Sequence, residues 1–295
     1  MNHTRIGIIL PSGGCKCAFQ AGVLKAIEKL IPAEHIHYLQ GVSGGILNGA
    51  KFISDDSKAD GLIELWKEVE EMGVGRLFDL CTVVLNQIGK NKPNTRVEEL
   101  LSKLDIVKIL NSHTHLDIVV RNLETNEAEV FSSRNFRTLH SDRNHLTKLI
   151  LASASIPGMM PPVRITNTVG NRRVSKRYCD GFVWLPEALE NIKDELDLII
   201  VIDPEHQVDP FASECKPFWI PAGSWKSLGG SNYIYFDNLK KSLRMLKMIV
   251  GKEKVLVIKP VKTYPNLTVV TFSKGEISDS IDQGYKLTSQ ALRQL

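Results

Sequence analysis

Two strand–turn–helix units follow one another within the first fifty or so residues, and no other stretch limits the fold of this chain so tightly. Arg5 to Leu10 (RIGIIL) is apolar almost throughout and reads as a short buried strand. It runs into PSGGCKC (11–17), a turn of small residues. Phe19, Val23, Ala26, Ile27 and Leu30 then recur at helical spacing until Pro32 stops the pattern. His37 to Val42 is a second strand, GVSGG (41–45) a second turn, and Ile46, Leu47, Ala50 and Ile53 continue as a second helix. Strands joined by a helical crossover lie parallel, and a parallel sheet needs helices on its faces. The expected class is α/β, with three α/β/α layers around a mainly parallel central sheet.

The remainder extends this pattern. Residues 60 to 110 read as helical, with Leu62, Ile63, Trp66, Val69 and later Val97, Leu100, Leu101 and Leu104 spaced in threes and fours. His115 to Leu123 and Ala128 to Ser132 read as a strand pair across the turn ETNE, and His145 to Ile156 as a helix that Pro157 ends. Further strands are expected at Val163 to Val169, Arg173 to Tyr178, Leu196 to Asp203 and Lys254 to Lys259. Pro210 to Ser231, rich in Pro, Gly, Ser and aromatics, reads as a long loop. Without an internal repeat or a linker-like stretch, residues 1–295 read as one domain with a helical insertion.

Composition excludes several functions. The longest apolar runs are far shorter than the roughly 18–20 residues of a membrane-spanning helix. MNHTRIGIIL enters a glycine loop without the apolar core of a signal peptide. Five scattered cysteines (Cys15, Cys17, Cys81, Cys179, Cys215) argue for a reducing compartment rather than a disulfide scaffold, so a cytoplasmic location is expected. Cys15-x-Cys17 and His113-x-His115 are too closely spaced for a zinc knuckle, and no calcium loop of EF-hand type occurs. No metal and no cofactor are expected. The formal charge of +4 reads as a solvated surface, with no nucleic-acid partner.

The two glycine turns carry the chemistry. A glycine loop between strand and helix aims backbone N–H groups at one point, where the helix dipole adds positive charge. SGGCKC (12–17) lacks the Gly-Lys-Ser/Thr of a nucleotide phosphate loop and the glycine spacing of a dinucleotide fingerprint. An oxyanion hole asks less, only free amides and close approach, and a plain tight turn asks less still. Ser43, flanked by Gly41 and Gly45, has the setting of a nucleophile elbow. Beside amide donors at Gly13, Gly14 and Cys15 it would complete two parts of an acyl-transfer site. YCDG offers the missing base, Asp180, at the end of a strand.

These motifs together resemble the patatin-like phospholipase family, whose members share a GGGxRG loop, a GxSxG elbow, an ASxxxPxxFPPV stretch and an Asp-Gly motif. Here they stand as SGGCKC (12–17), GVSGG (41–45), ASASIPGMMPPV (152–163) and DGF (180–182), in matching order from about residue 5 to 205. The resemblance implies a patatin-like fold, Ser43 as nucleophile, Asp180 as its base, Gly13, Gly14 and Cys15 as the oxyanion hole, and Lys16 as support for that loop. It implies hydrolysis of acyl esters of phospholipids or other acyl lipids. Four positions depart from the pattern: Ser12 and Cys17 replace outer glycines, Lys16 replaces arginine, and Phe182 stands where the family has Gly or Ala.

Two other readings compete. A Ser-His-Asp hydrolase would use Ser43, Asp180 and His206 in that order, although its elbow normally follows several strands. A degraded relative would bind lipid or regulate without turnover. Residues 206–295 match no catalytic motif. Within them, KPFWIPAGSW (216–225) clusters Phe218, Trp219, Ile220 and Trp225. YIYFDNLKKSLRMLKMIV (233–250) sets Phe236, Leu239, Leu243, Leu246 and Val250 on one helical face beside Lys240, Lys241, Arg244 and Lys247. That helix is expected to pack on the core, and the aromatic loop suits a peripheral contact with a membrane.

Overall fold

The computed structural model describes residues 5–77, 86, 90, 92–136, 140–169, 172–182, 184–204, 232–268 and 270–294. Its centre is β1 (Ile6–Leu10), buried at all five positions. β1 pairs in parallel with β2 (Ile36–Gly41) on one side and with β7 (Leu198–Ile202) on the other. β2 continues in parallel to β3 (His115–Asn122), and β7 to β8 (Val255–Ile258). β4 (Ala128–Ser132), β5 (Val163–Val169) and β6 (Arg172–Asp180) form an antiparallel extension on β3, giving eight strands in one mixed, mostly parallel sheet.

The two-residue period of a strand divides these apolar runs between two cores. Ile8, Leu10, Leu39, Ile118, Val120, Ile200 and Ile202 point to one face. There they meet helices α1 (Ala18–Leu30), α2 (Gly44–Ser54), α3 (Asp60–Met72), α4 (Thr95–Ser102), α5 (Ile106–Asn111), α6 (His140–Ser153) and α8 (Glu276–Leu292). Ile9, Tyr38, Val119, Ile199 and Val201 point to the other, where Trp184, Leu189 and helix α7 (Asn232–Val250) cover them. The three expected layers are present. Leu246 and Val250 of α7 are buried and Leu243 is half-buried, so the apolar face of that helix packs on the core.

One pairing detail positions everything discussed below. Val120 of β3 pairs with both Glu129 of β4 and Asp180 of β6, which therefore occupy opposite edges of β3. Asp117 pairs with Ser132 of β4 and with Gln40 of β2. β2 and β6 thus share one edge of β3 in tandem. β2 runs with β3 and β6 runs against it, so their C-terminal ends face each other, Gly41 opposite Ile118 and Asp180 opposite Val120.

Some expectations differ in detail. Helix α6 begins at His140 rather than His145 and ends at Ser153, four residues before Pro157. Its end tightens, with Ala154 N–H shared between Ile150 and Leu151 carbonyls and Ser155 N–H on Ala152, and Pro157 disfavours helix at Ile156. The loop at 210–231, with Phe218, Trp219, Ile220 and Trp225, lies outside the described residues, as do His206, Cys81 and Cys215. Among the described residues no helix is long and apolar enough to cross a membrane.

The C-terminal part has a structural role in α8, which packs on α1 backbone to backbone. A Cβ on Gly22 would fall 1.8 Å from the Ile281 carbonyl oxygen, and one on Gly284 2.3 Å from that of Phe19. Gly22→Ala and Gly284→Ala should therefore each destabilise the protein by about 1–3 kcal/mol, despite the better helix propensity of alanine. Urea denaturation of the two variants checks this; unchanged or higher midpoints would mean that the seam has room to spare.

Candidate active site

Ser43 caps the N-terminus of α2 with φ 56° and ψ −127°, a conformation that residues bearing a Cβ rarely adopt. The glycines around it make the strained turn possible. A Cβ on Gly41 would sit 2.6 Å from the Ile46 Cα, and one on Gly45 2.2 Å from the Leu10 carbonyl oxygen. The elbow is thus pressed against the end of β1, where Val42 N–H donates to Leu10 at 3.1 Å. Ser153 holds the turn from the other side. Its hydroxyl donates to the Val119 carbonyl at 2.7 Å and accepts from Ser43 N–H at 3.2 Å. The residue lies within the ASASIPGMMPPV stretch, which the sequence reading singled out without assigning Ser153 a task.

Asp180 arrives from the end of β6 beside the Ser43 side chain, which favours its charged form. Ser43 and Asp180 are both deeply buried, at 4% and 2% exposure respectively. Burial pushes the Asp180 carboxyl up to about 6, against the opposing pull of the Ser43 hydroxyl, the Phe182 amide and the Arg121 guanidinium. The Phe182 N–H donates to Asp180 Oδ1 at 2.8 Å, and Asp180 N–H is tied to the Ser155 carbonyl at 3.0 Å.

The glycine loop ends in a 3-10 turn, Gly14–Cys17, and Gly14 adopts φ 55°. Gly14 and Cys15 line the same cavity as Ser43. Gly13, in extended backbone, lies against Pro204, whose Cγ would be 2.7 Å from a Cβ there. Lys16 is half-buried, and its N–H donates to the Gly13 carbonyl at 3.1 Å. Burial pushes the Cys15 thiol up to about 12, which leaves it neutral and a poor nucleophile.

A buried amide network anchors this loop. Gln20 Nε2 donates to the Pro11 and Ile202 carbonyls. Asn48 Nδ2 donates to the Cys17 carbonyl and Gln20 Oε1, while Trp66 Nε1 donates to Asn48 Oδ1. These three residues join the loop to α1, α2, α3 and β7. Periodicity alone reads Gln20 and Asn48 only as polar helix positions, so the sequence reading missed them.

The cavity measures about 630 Å³ including its open mouth. Apart from the Ser43 end and Asn48 it is walled by apolar side chains, among them Leu47, Leu65, Trp66, Val97, Leu100 and Met160. His37, His113 and His115 lie at the opposite end of the strands, where β2 and β3 begin. Among the described residues no group of three or more His, Cys, Asp or Glu is placed to hold a metal ion.

A family model described as patatin-like phospholipase matches residues 8–186. No individual curated protein matches the chain. Among solved structures, VipD from Legionella pneumophila is similar over 99% of this chain and 67% of its own, with 11% identity and a TM-score of 0.53. The ExoU–SpcU complex from the type III secretion system of Pseudomonas aeruginosa covers 99% and 52%, at 14% identity and a TM-score of 0.40. Human GIVD cytosolic phospholipase A2 covers 69% and 43%, at 12% and 0.41. The chain thus spans about two thirds of VipD and about half of the chain matched in the ExoU complex.

The raised Asp180 carboxyl has a consequence for stability. From the usual 3.8, a value of about 6 corresponds to roughly 3 kcal/mol against the charged form. The folded protein then binds a proton more readily than the unfolded chain, so stability is lost as pH rises from about 4 through 6. Asp180→Asn should exceed the parent in stability at pH 8, by up to that amount, and lose the advantage near pH 4. Paired urea titrations at the two pH values test this. A variant weaker than the parent at pH 8 would contradict it.

Proposed function

This chain belongs to the patatin-like phospholipase family, and we propose that it is a lipid acyl hydrolase that cleaves acyl esters of glycerophospholipids with Ser43 and Asp180 alone. The observation that carries this reading is the placing of a strained elbow serine beside a buried carboxylate at the head of an apolar cavity.

In the proposed reaction Ser43 Oγ attacks the ester carbonyl carbon while Asp180 accepts the hydroxyl proton. The negative charge that develops on the carbonyl oxygen is met by backbone N–H groups of the Gly13–Cys15 segment, with Gly14 and Cys15 nearest the cavity. Lys16 supports that segment through its tie to Gly13. Asp180 then passes the proton to the leaving lysolipid oxygen, which leaves an acyl-Ser43 ester. Water, deprotonated by Asp180, hydrolyses that ester and restores both residues. A carboxyl near 6 suits this exchange, since a base works best with a pKa close to the operating pH.

The apolar wall offers a berth for the acyl chain. The exposed side of α7 presents Lys240, Arg244, Met245 and Met248, the last 86% exposed. Cations beside apolar side chains suit a peripheral contact with an anionic lipid surface.

A fluorophosphonate probe should label Ser43 covalently. Ser43→Ala and Asp180→Asn should each lower kcat by several orders of magnitude, and the double variant should be little worse, because the pair acts as a unit. The acid limb of kcat/KM should fall near pH 6. His206→Ala should keep most of the activity, and its collapse would instead point to a histidine-based triad.

The oxyanion assignment has its own test. Gly14→Val should cost roughly 100-fold in kcat with less change in KM, because the amide contact strengthens only in the transition state. A folded Gly14→Val protein with parental kcat would refute it.

A further inference from the structure

Two of the positions at which this chain departs from the family pattern meet in space. Ser12 stands for an outer glycine of the loop and Phe182 for a Gly or Ala after the Asp-Gly motif. Ser12 Oγ donates a 2.8 Å hydrogen bond to the Phe182 carbonyl, across 170 residues of sequence. Phe182 holds φ 61°, a left-handed conformation that is costly for any residue with a Cβ and free of that cost for glycine. In that conformation its N–H reaches Asp180 Oδ1 at 2.8 Å. The carbonyl and the amide of one strained residue are therefore both engaged, the first by the glycine loop and the second by the carboxylate.

We propose that Ser12 is a positioning residue for Asp180: its hydroxyl clasps the Phe182 carbonyl and so keeps the Phe182 amide aimed at the carboxylate. A glycine at 182 would hold this conformation unaided, whereas phenylalanine needs the clasp. The clasp thus offsets a conformational cost that a glycine at 182 would not carry. It also ties the loop that would receive the oxyanion to the group that would move the proton. The inference rests on the Ser43–Asp180 reading of the site.

The consequence is electrostatic. Four groups act on the Asp180 charge: the Ser43 hydroxyl and the Phe182 amide beside it, the longer-range charge of Arg121 on β3, and the neighbouring Cys179 thiol, which burial and the Asp180 charge keep neutral. The first three favour the carboxylate form against burial. Release of the Phe182 amide removes one of them, so Asp180 would titrate at higher pH and fewer molecules would carry a competent base at pH 6.

The test measures kcat/KM against pH on a short soluble ester for the parent, Ser12→Ala, Phe182→Gly and the double variant. Ser12→Ala should move the acid limb to higher pH and cost about tenfold at pH 6, the scale of one lost buried hydrogen bond. Ser12→Ala should have no such effect in the Phe182→Gly background. Equal losses in both backgrounds, or an unmoved acid limb, would overturn the proposal. Should Ser12→Ala fail to fold, the isosteric pair Ser12→Thr and Ser12→Val decides. Thr keeps the hydroxyl and should retain the parental limb, Val should shift it, and identical profiles would refute the clasp. Ser43→Ala in the same assay separates the two readings. Its retention of activity would sink the dyad itself, whereas an inactive Ser43→Ala beside an unshifted Ser12→Ala would sink only the clasp.

Discussion

β3 carries two strands in tandem on one of its edges, and the gap between them is where the chemistry sits. β2 arrives from one direction and β6 from the other, so the turn after Gly41 and the carboxylate at Asp180 meet across only Ile118 to Val120. A purely parallel sheet could not do this, since all its strand ends lie on one side. The antiparallel hairpin of β5 and β6 exists, in effect, to bring one carboxylate back towards the elbow. Ser153 and Ser155 then fasten both ends, one on the Ser43 amide and one on the Asp180 amide.

That meeting point is held against its own electrostatics. A carboxylate at 2% exposure is strongly disfavoured as a charge, yet a base must be charged to accept a proton. Two neighbouring polar groups and the charge of Arg121 offset part of the cost and leave the carboxyl at about 6 rather than far higher. The strained backbone at Ser43 and Phe182 is part of the same compromise, because each residue aims one polar group at the carboxylate. Rigid surroundings are what make such strain persist. The Gln20, Asn48 and Trp66 network and the close backbone contacts at Gly44 and Gly45 leave the loop, the elbow and β1 little freedom to relax.

The helical insertion serves the other half of the site. α3, the helical turn Val74–Leu77 and α4 add Leu65, Trp66, Val69, Leu77, Val97 and Leu100 to the cavity wall, so a stretch that carries no catalytic motif shapes the space in front of Ser43. The C-terminal helix contributes differently, by closing over α1 through two glycines.

The sequence by itself determined the local elements and the chemistry-bearing residue types. Short apolar runs such as IGIIL that lead into a glycine turn and a helical pattern read as strands covered on both faces, and apolar spacing in threes and fours marks the helices on them. Small residues at 41, 44 and 45 mark a turn that presses on a neighbour, and an Asp before a Gly at a strand end marks a carboxylate in a tight place. Those signals are legible because they depend on residues a few positions apart. What brings Ser43 to Asp180 is two strand pairings that share β3, Gly41 with Ile118 and Val120 with Asp180, each between distant segments. No local periodicity encodes which edge of β3 each strand takes. Ser153, Gln20, Asn48 and the Ser12–Phe182 bond belong to the same class, because a hydrogen bond's partner is chosen by whatever the fold places within hydrogen-bonding distance of it. Only the tertiary structure decided those, and with them the raised Asp180 carboxyl, since burial is a property of the packed molecule and not of the residue.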